Sequence, residues 1–158
     1  MSPLPAAAQR VQDAADALGL GVNVTIMEKP TRTAEEAAEA CGCTVGQIVK
    51  SLVFKGKDSG SAILLLVSGK NRVNEAAMVE RLGEPITRPD ATFVREATGF
   101  AIGGIPPFGH THRLVPRIDA DLLQYGTVWA AAGTPNSIFE VDPAKLRDAT
   151  GGIVVTVT

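Results

Sequence analysis

The chain has 158 residues, 45% of them hydrophobic and 4% aromatic, with 15 Lys and Arg against 17 Asp and Glu. That length holds one well-packed core and falls short of two ordinary domains, so positions 1–158 are expected to form a single domain. The near-neutral balance excludes a global field that would draw the protein onto DNA or other long nucleic acid, and the scarcity of aromatics argues against a single-strand stacking platform; contact with one or two phosphates in a pocket stays open.

Pro5 to Leu20 places Ala7, Val11, Ala14, Ala15 and Leu18 at helical spacing, and Gly19 and Gly21 close this amphipathic helix. Met1 to Leu20 lacks the basic start and unbroken apolar stretch of an export signal. Val22 to Met27 alternates and is rich in β-branched residues, which predicts a strand ended by Pro30. Thr33 with Glu36 forms a capping box that opens a short helix, Ala34 to Ala40, stopped at Gly42. Cys41 and Cys43 stand one residue apart, where a mutual disulfide is badly strained, so reduced thiols and a cytoplasmic location are expected.

Ile48 to Phe54 is the next strand, and period-2 alternation sets Lys50 in phase with Ile48, Leu52 and Phe54, opposite Val49, Ser51 and Val53. An unpaired ammonium among apolar side chains either sheds its proton or meets an anion, since burial moves a lysine pKa by up to roughly 3–5 units. On one reading that anion is a ligand. On the other, the head group snorkels to an edge and pairs with a carboxylate.

Lys57 to Gly60 is a polar turn leading to Ala62–Ser68, an apolar strand expected to be the central member of a hairpin. Its wholly apolar part, Ala62 to Val67, is the longest such run and far below the roughly 20 residues that span a bilayer. Asn74 caps a helix through Arg81, and Asp90 caps Ala91 to Ala97, with Phe93 and Val94 inward. Leu114 to Ile118 reads as a short strand, Asp119 to Tyr125 as a helical turn, and Thr127 to Ala132 and Ile138 to Val141 as strands. Pro143 then starts a helix, and Ile153 to Val157 is a closing strand. Strands outnumber helices and connections are short. The expected class is α+β: a curved mixed sheet or partly open barrel with helices outside.

Between these elements, Gly99 to His110 is a glycine and proline loop. Gly103 and Gly104 allow positive φ and close approach to bare backbone, while Pro106 and Pro107 stiffen the backbone after them; the loop is either a rigid corner or a set of amide donors for a phosphate or a developing oxyanion. Gly133-Thr134-Pro135-Asn136 leaves a strand in the same way.

The order Thr33 to Ala38, then Ile48 to Phe54 around Lys50, then Gly103-Gly104-Ile105-Pro106-Pro107-Phe108-Gly109, then Ala131-Ala132-Gly133-Thr134-Pro135 resembles the YbaK/EbsC family from about Val22 onward. These are stand-alone relatives of the editing domain inserted in bacterial prolyl-tRNA synthetase. The resemblance implies a YbaK-like fold and an aminoacyl-tRNA deacylase acting on wrongly charged tRNA, usually that for proline, with no metal or cofactor. Its partners would be the tRNA acceptor end and prolyl-tRNA synthetase, with no membrane and no DNA. Lys50 matches the family's functional lysine, Gly103 and Gly104 its glycine loop, and Gly133, Thr134 and Pro135 a pocket-edge segment. In this reading Lys50, Gly103 and Gly104 are catalytic. Ser51, Ile105, Pro106, Gly109, His110, Gly133, Thr134 and Pro135 contact substrate, Ser51 only if a bulge or twist turns it.

The chemistry agrees. Hydrolysis of an activated ester needs positioned water and donors where negative charge develops, so Lys50 is read as holding the terminal phosphate or ester region and the amides around Gly103–Ile105 as polarising the carbonyl. Lys50 as general base would have to be neutral near pH 7. His110 and His112 share a strand face without a nearby carboxylate or cysteine to complete a metal set, and nothing places a base beside Cys41. The alternative of a different class is a non-catalytic module that binds a nucleotide or an aminoacyl-tRNA end.

Overall fold

The computed structural model describes residues 4–158. In chain order its elements are α1 (Ala6–Ala17), β1 (Thr25–Ile26), α2 (Ala34–Cys41), β2 (Ile48–Gly56), β3 (Ala62–Ser68), α3 (Glu75–Leu82), β4 (Ile86–Thr87), α4 (Ala91–Thr98), β5 (Arg117–Asp119), β6 (Val128–Ala131), β7 (Ser137–Val141), α5 (Pro143–Thr150) and β8 (Ile153–Val155). Short 3₁₀ turns precede β2 and follow β5.

Local signals account for most boundaries. Thr33, Asn74, Asp90 and Asp142 each cap a helix by accepting a backbone N–H, and Thr33 with Glu36 completes the expected capping box. Four expected strands are shorter than the sequence pattern, and β1 and β5 lose the most, each starting three residues late; β6 (Val128–Ala131) and β8 (Ile153–Val155) lose one or two residues at their ends. Val22 to Val24 do not pair because the Gln12 side chain takes their backbone groups, donating to Val22 O at 2.9 Å and accepting from Val24 N at 2.8 Å. β5 starts only at Arg117 because Pro116, without an N–H, cannot extend the ladder. β4 was not expected from the sequence; it is a two-residue strand that closes on the far end of β2.

All eight strands lie in one mixed sheet, ordered β1-β7-β6-β2-β3-β5-β8, with β4 branching from β2. β1 and β8 end the order without pairing to each other, so the expected curved α+β sheet stays open and is not a closed barrel. Both members of the hairpin β2–β3 are interior strands, but β2 and not β3 stands at the middle of the order; β3 is apolar from Ala62 to Val67 because both its faces are covered. Leu64 and Leu66 join the main core with Val11, Phe108 and Phe139, while Leu65 and Val67 pack with Phe54, Met78 and Val157 on the other face. A third cluster seats α2 on Ile48 through Ala34, Ala37 and Ala38.

The sheet has one gap that matters. Away from β3, β2 pairs with β6 only at Ile48 and Val49 and with β4 only at Lys55 and Gly56. Lys50 to Phe54 therefore present an unpaired strand edge, among the described residues, in the middle of the molecule.

Candidate functional site

The alternation in β2 holds: Val49 packs in the main core, while Leu52 and Phe54 pack in the second cluster on Lys50's face. Lys50 is half-buried, and its Nζ donates to the main-chain oxygen of Asn71 at 2.6 Å. No carboxylate of the described residues makes an ion pair with it. Burial holds its amine below the ordinary lysine range, and Arg72 adds to that, while Glu35 and Asp119 pull the other way. Neither sequence-based extreme describes it: the ammonium is not sealed in hydrocarbon, and it is not paired with a carboxylate.

It opens instead into a cleft of about 590 Å³. The walls come from the segment entering α2 (Thr31 to Glu35), from β2 (Ile48 to Leu52), from the turn after β3 (Gly69 to Arg72), from Ile102, Gly103 and Ile105, and from Ala131 of β6. Arg32, Lys50, Lys70 and Arg72 face a single acid, Glu35. The chain carries a net charge of −2, so this cleft is a local inversion of its charge and favours an anion.

The glycine pair divides its labour. Gly103 lines the cleft at φ +101°, and a Cβ there would meet no atom within 4 Å. Gly104 sits behind it: its N–H donates to Ala101 O at 3.2 Å, and its carbonyl accepts from Gly133 N at 2.8 Å. A Cβ on Gly104 would lie 2.8–2.9 Å from backbone atoms of Gly133 and Thr134. Among the described residues no acceptor takes the amide of Gly103 or of Ile105. The cleft-lining residues of the loop whose amides are left free are thus Gly103 and Ile105, and Gly104 between them is tied to Ala101 and Gly133.

Residues 28–149 match the family model for the aminoacyl-tRNA editing domain. The chain belongs to that family. It is 32% identical over 126 residues to the "Uncharacterized protein YwhH" of Bacillus subtilis (strain 168), covering 80% of each. It is also 31% identical over 96 residues to the proline–tRNA ligase of Thermoanaerobacter sp. (strain X514), a stretch that is 59% of this chain and 16% of the ligase. A crystal structure described as "a putative trans-editing enzyme for prolyl tRNA synthetase" superposes with a TM-score of 0.92 at 46% identity, covering 99% of both chains.

In this editing domain Ser51 shares the cleft with Lys50 although the two alternate along the strand. No bulge turns Ser51: the β2–β3 register runs unbroken from Val49↔Ser68 to Lys55↔Ala62. The open edge of β2 is what lets both sides of the strand reach one cleft. Ser51 Oγ is buried and has no hydrogen-bond partner among the described residues.

Other expected site residues lie elsewhere. Gly133 and Pro135 brace the cleft from outside, the first on Gly104 and the second accepting from Thr31 N and Oγ1 at 2.8 and 3.0 Å. Thr134 bonds Ser137 and Asn136. Gly109 and His110 line a separate cavity of about 440 Å³ with Ala14, Phe108 and Arg113. His110 Nε2 hydrogen-bonds Pro106 O at 2.7 Å, and burial lowers its pKa. Pro106, Gly109 and His110 therefore form the back of the loop and not its cleft side. The Cys41 thiol is pushed up to about 11, chiefly by burial and then by Cys43 and Glu140, the opposite of an activated nucleophile. Among the described residues no group of three or more His, Cys, Asp or Glu is placed to hold a metal, and no helix is long and apolar enough to cross a membrane.

Sequence reasoning missed Arg32, Lys70, Asn71, Arg72 and the buried Asp119. The available signal was Gly69-Lys70-Asn71-Arg72, a polar turn with two cations directly after the most apolar strand.

Proposed function

We propose that this chain is a trans-editing hydrolase that cleaves the ester joining a wrong, small amino acid to tRNA, with tRNA for proline as its substrate. The observation that carries the reading is Lys50, a cation oriented by a main-chain carbonyl and free of carboxylate contact, in a cationic cleft beside the amides of Gly103 and Ile105. Support comes also from the neighbours described as acting with, or being part of, proline-specific synthetases.

A volume of about 590 Å³ lies within the roughly 300–1,000 Å³ typical of small-ligand sites, suited to a terminal adenosine with its aminoacyl group. In the reaction the oxygen of water bonds to the ester carbonyl carbon, the carbon–oxygen bond to the ribose breaks, and the ribose oxygen takes up a proton. The products are free amino acid and tRNA with its hydroxyl restored. Lys50 holds the terminal phosphate or the ester region, and Arg32, Lys70 and Arg72 neutralise the neighbouring backbone. The Gly103 and Ile105 amides stabilise the oxyanion, where loss of one donor typically costs about 100–1,000-fold in rate. A hydrogen bond to Asn71 O is stronger from the ammonium than from the neutral amine, which favours an anchoring role for Lys50 over a general-base role.

The test is a panel of tRNAs charged with alanine, serine, cysteine and proline, incubated with wild type and Lys50→Ala. Wild type should release at least one non-cognate amino acid, and Lys50→Ala should lose that activity by about 100-fold or more, a ratio in the range of one lost electrostatic contact. No ester loss above background for any amino acid, with tRNA still bound, would replace the hydrolase by a non-catalytic binding module.

A further inference from the structure

We propose that Asn71, clamped by the buried carboxylate of Asp119, is a positioning residue that aims Lys50 into the cleft while leaving the lysine's charge without a contacting counter-ion. This rests on the reading of Lys50 as the cation that holds substrate.

Asp119 ends β5 and is 2% exposed, yet no cation of the described residues pairs with it. A buried carboxylate persists only if donors surround it. Its Oδ2 accepts from Ser68 N at 3.0 Å and Asn71 Nδ2 at 2.8 Å, and its Oδ1 accepts from Asp121 N at 3.0 Å. The second hydrogen of the Asn71 amide goes to Asp121 Oδ2 at 2.7 Å, and Asn71 N donates to Ser68 O at 2.9 Å. Every donor of Asn71 is therefore fixed, and its main-chain oxygen meets Lys50 Nζ at 2.6 Å.

The residue type follows from this geometry. Among neutral side chains only an amide supplies two donors to two carboxylates at once; a lysine or arginine there would add a positive charge beside Lys50, and an aspartate at 71 would set a third negative charge beside the pair. A carboxylate in direct contact with Lys50 would hold the ammonium but cancel its charge. A carbonyl dipole holds it with far less compensation, and the Asp119 charge acts from behind. The charged groups around the lysine are Glu35 on α2, Asp119 on β5, Arg32 ahead of α2, and Lys70 and Arg72 on the turn after β3.

A double-mutant cycle on the full chain tests the strut, with calorimetric binding of a 3′-aminoacylamino-adenosine, whose amide replaces the scissile ester. Asn71→Ala and Lys50→Met should each weaken binding about 10-fold or more, and the double variant should bind no more weakly than Lys50→Met, because a residue that acts through another adds nothing once that other is gone. Wild-type affinity in Asn71→Ala, or an equal weakening by Asn71→Ala in the Lys50→Met background, would overturn the proposal. If Lys50→Met binds as wild type does, it is the substrate-holding reading that fails. Nitrogen-15 NMR of Lys50 Nζ then decides the strut alone: its resonance should move in Asn71→Ala and in the isosteric Asp119→Asn, and an unmoved resonance in folded protein would reject it.

Discussion

Gly104→Ala separates the joint of the loop from its donors. The added Cβ would lie 2.8 Å from Gly133 C and 2.9 Å from both Gly133 O and Thr134 N, all main-chain atoms that cannot rotate aside. The two segments must part, which strains or breaks the 2.8 Å bond from Gly133 N to Gly104 O. Overpacking of this kind costs about 1–3 kcal/mol and a lost backbone hydrogen bond about 0.5–1.5, so a loss of about 2–4 kcal/mol is expected. For a chain of this size that lowers the thermal midpoint by on the order of 10 °C. Two controls bracket it. Gly103→Ala meets no atom within 4 Å and bears only the left-handed backbone at φ +101°, a cost of about 1–2 kcal/mol. Gly126→Ala has neither contact nor positive φ and should be neutral or slightly stabilising. The assay is urea and thermal unfolding of all three beside wild type. Gly104→Ala as stable as Gly126→Ala would refute the reasoning, since the contact with Gly133 would then not be a close one in solution.

Lys50→Met should show a pH signature in unfolding. Burial holds the folded-state amine below its ordinary 10.5, so the unfolded chain binds more protons between the two values and wild type gains stability as pH rises through that window. The methionine variant lacks this gain, and parallel stability profiles for the two proteins would contradict it. Ser51→Ala removes a buried hydroxyl that has no partner, so it should leave stability unchanged or raise it by up to about 1–3 kcal/mol, while weakening aminoacyl-analogue binding in calorimetry. Cys41→Ser should retain full deacylation in the mischarged-tRNA assay, because a thiol pushed up to about 11 is not a nucleophile at neutral pH. His110→Ala should lower the unfolding midpoint by loss of its bond to Pro106 O yet change kcat/KM less than about twofold, a small ratio for a group that lines the other cavity.

Part of the candidate site was legible because its signals are local: of the residues expected there, Lys50, Ser51, Gly103 and Ile105 line the cleft. Period-2 alternation alone put Lys50 in phase with Ile48, Leu52 and Phe54, and the cap residues marked helix starts, since each caps an amide only two or three positions away. The ordered motifs carried the family. The same local rules erred where a distant group intervened: the Gln12 side chain took the backbone of Val22 and Val24, and the condition that Ser51 needs a bulge or twist to reach the cleft assumed a strand paired along both edges.

By itself, then, the sequence determined most of the elements, though not β4, and the inward phase of one lysine and the two-glycine loop, because each depends on neighbours within a few residues. Only the tertiary structure decided that β2 is left unpaired between β6 and β4, that Gly104 is a joint against Gly133, and that Asp119 reaches back 48 positions to hold Asn71 beside Lys50. Those relations arise from which distant segments pack together, and no local periodicity encodes the partner of a buried polar group.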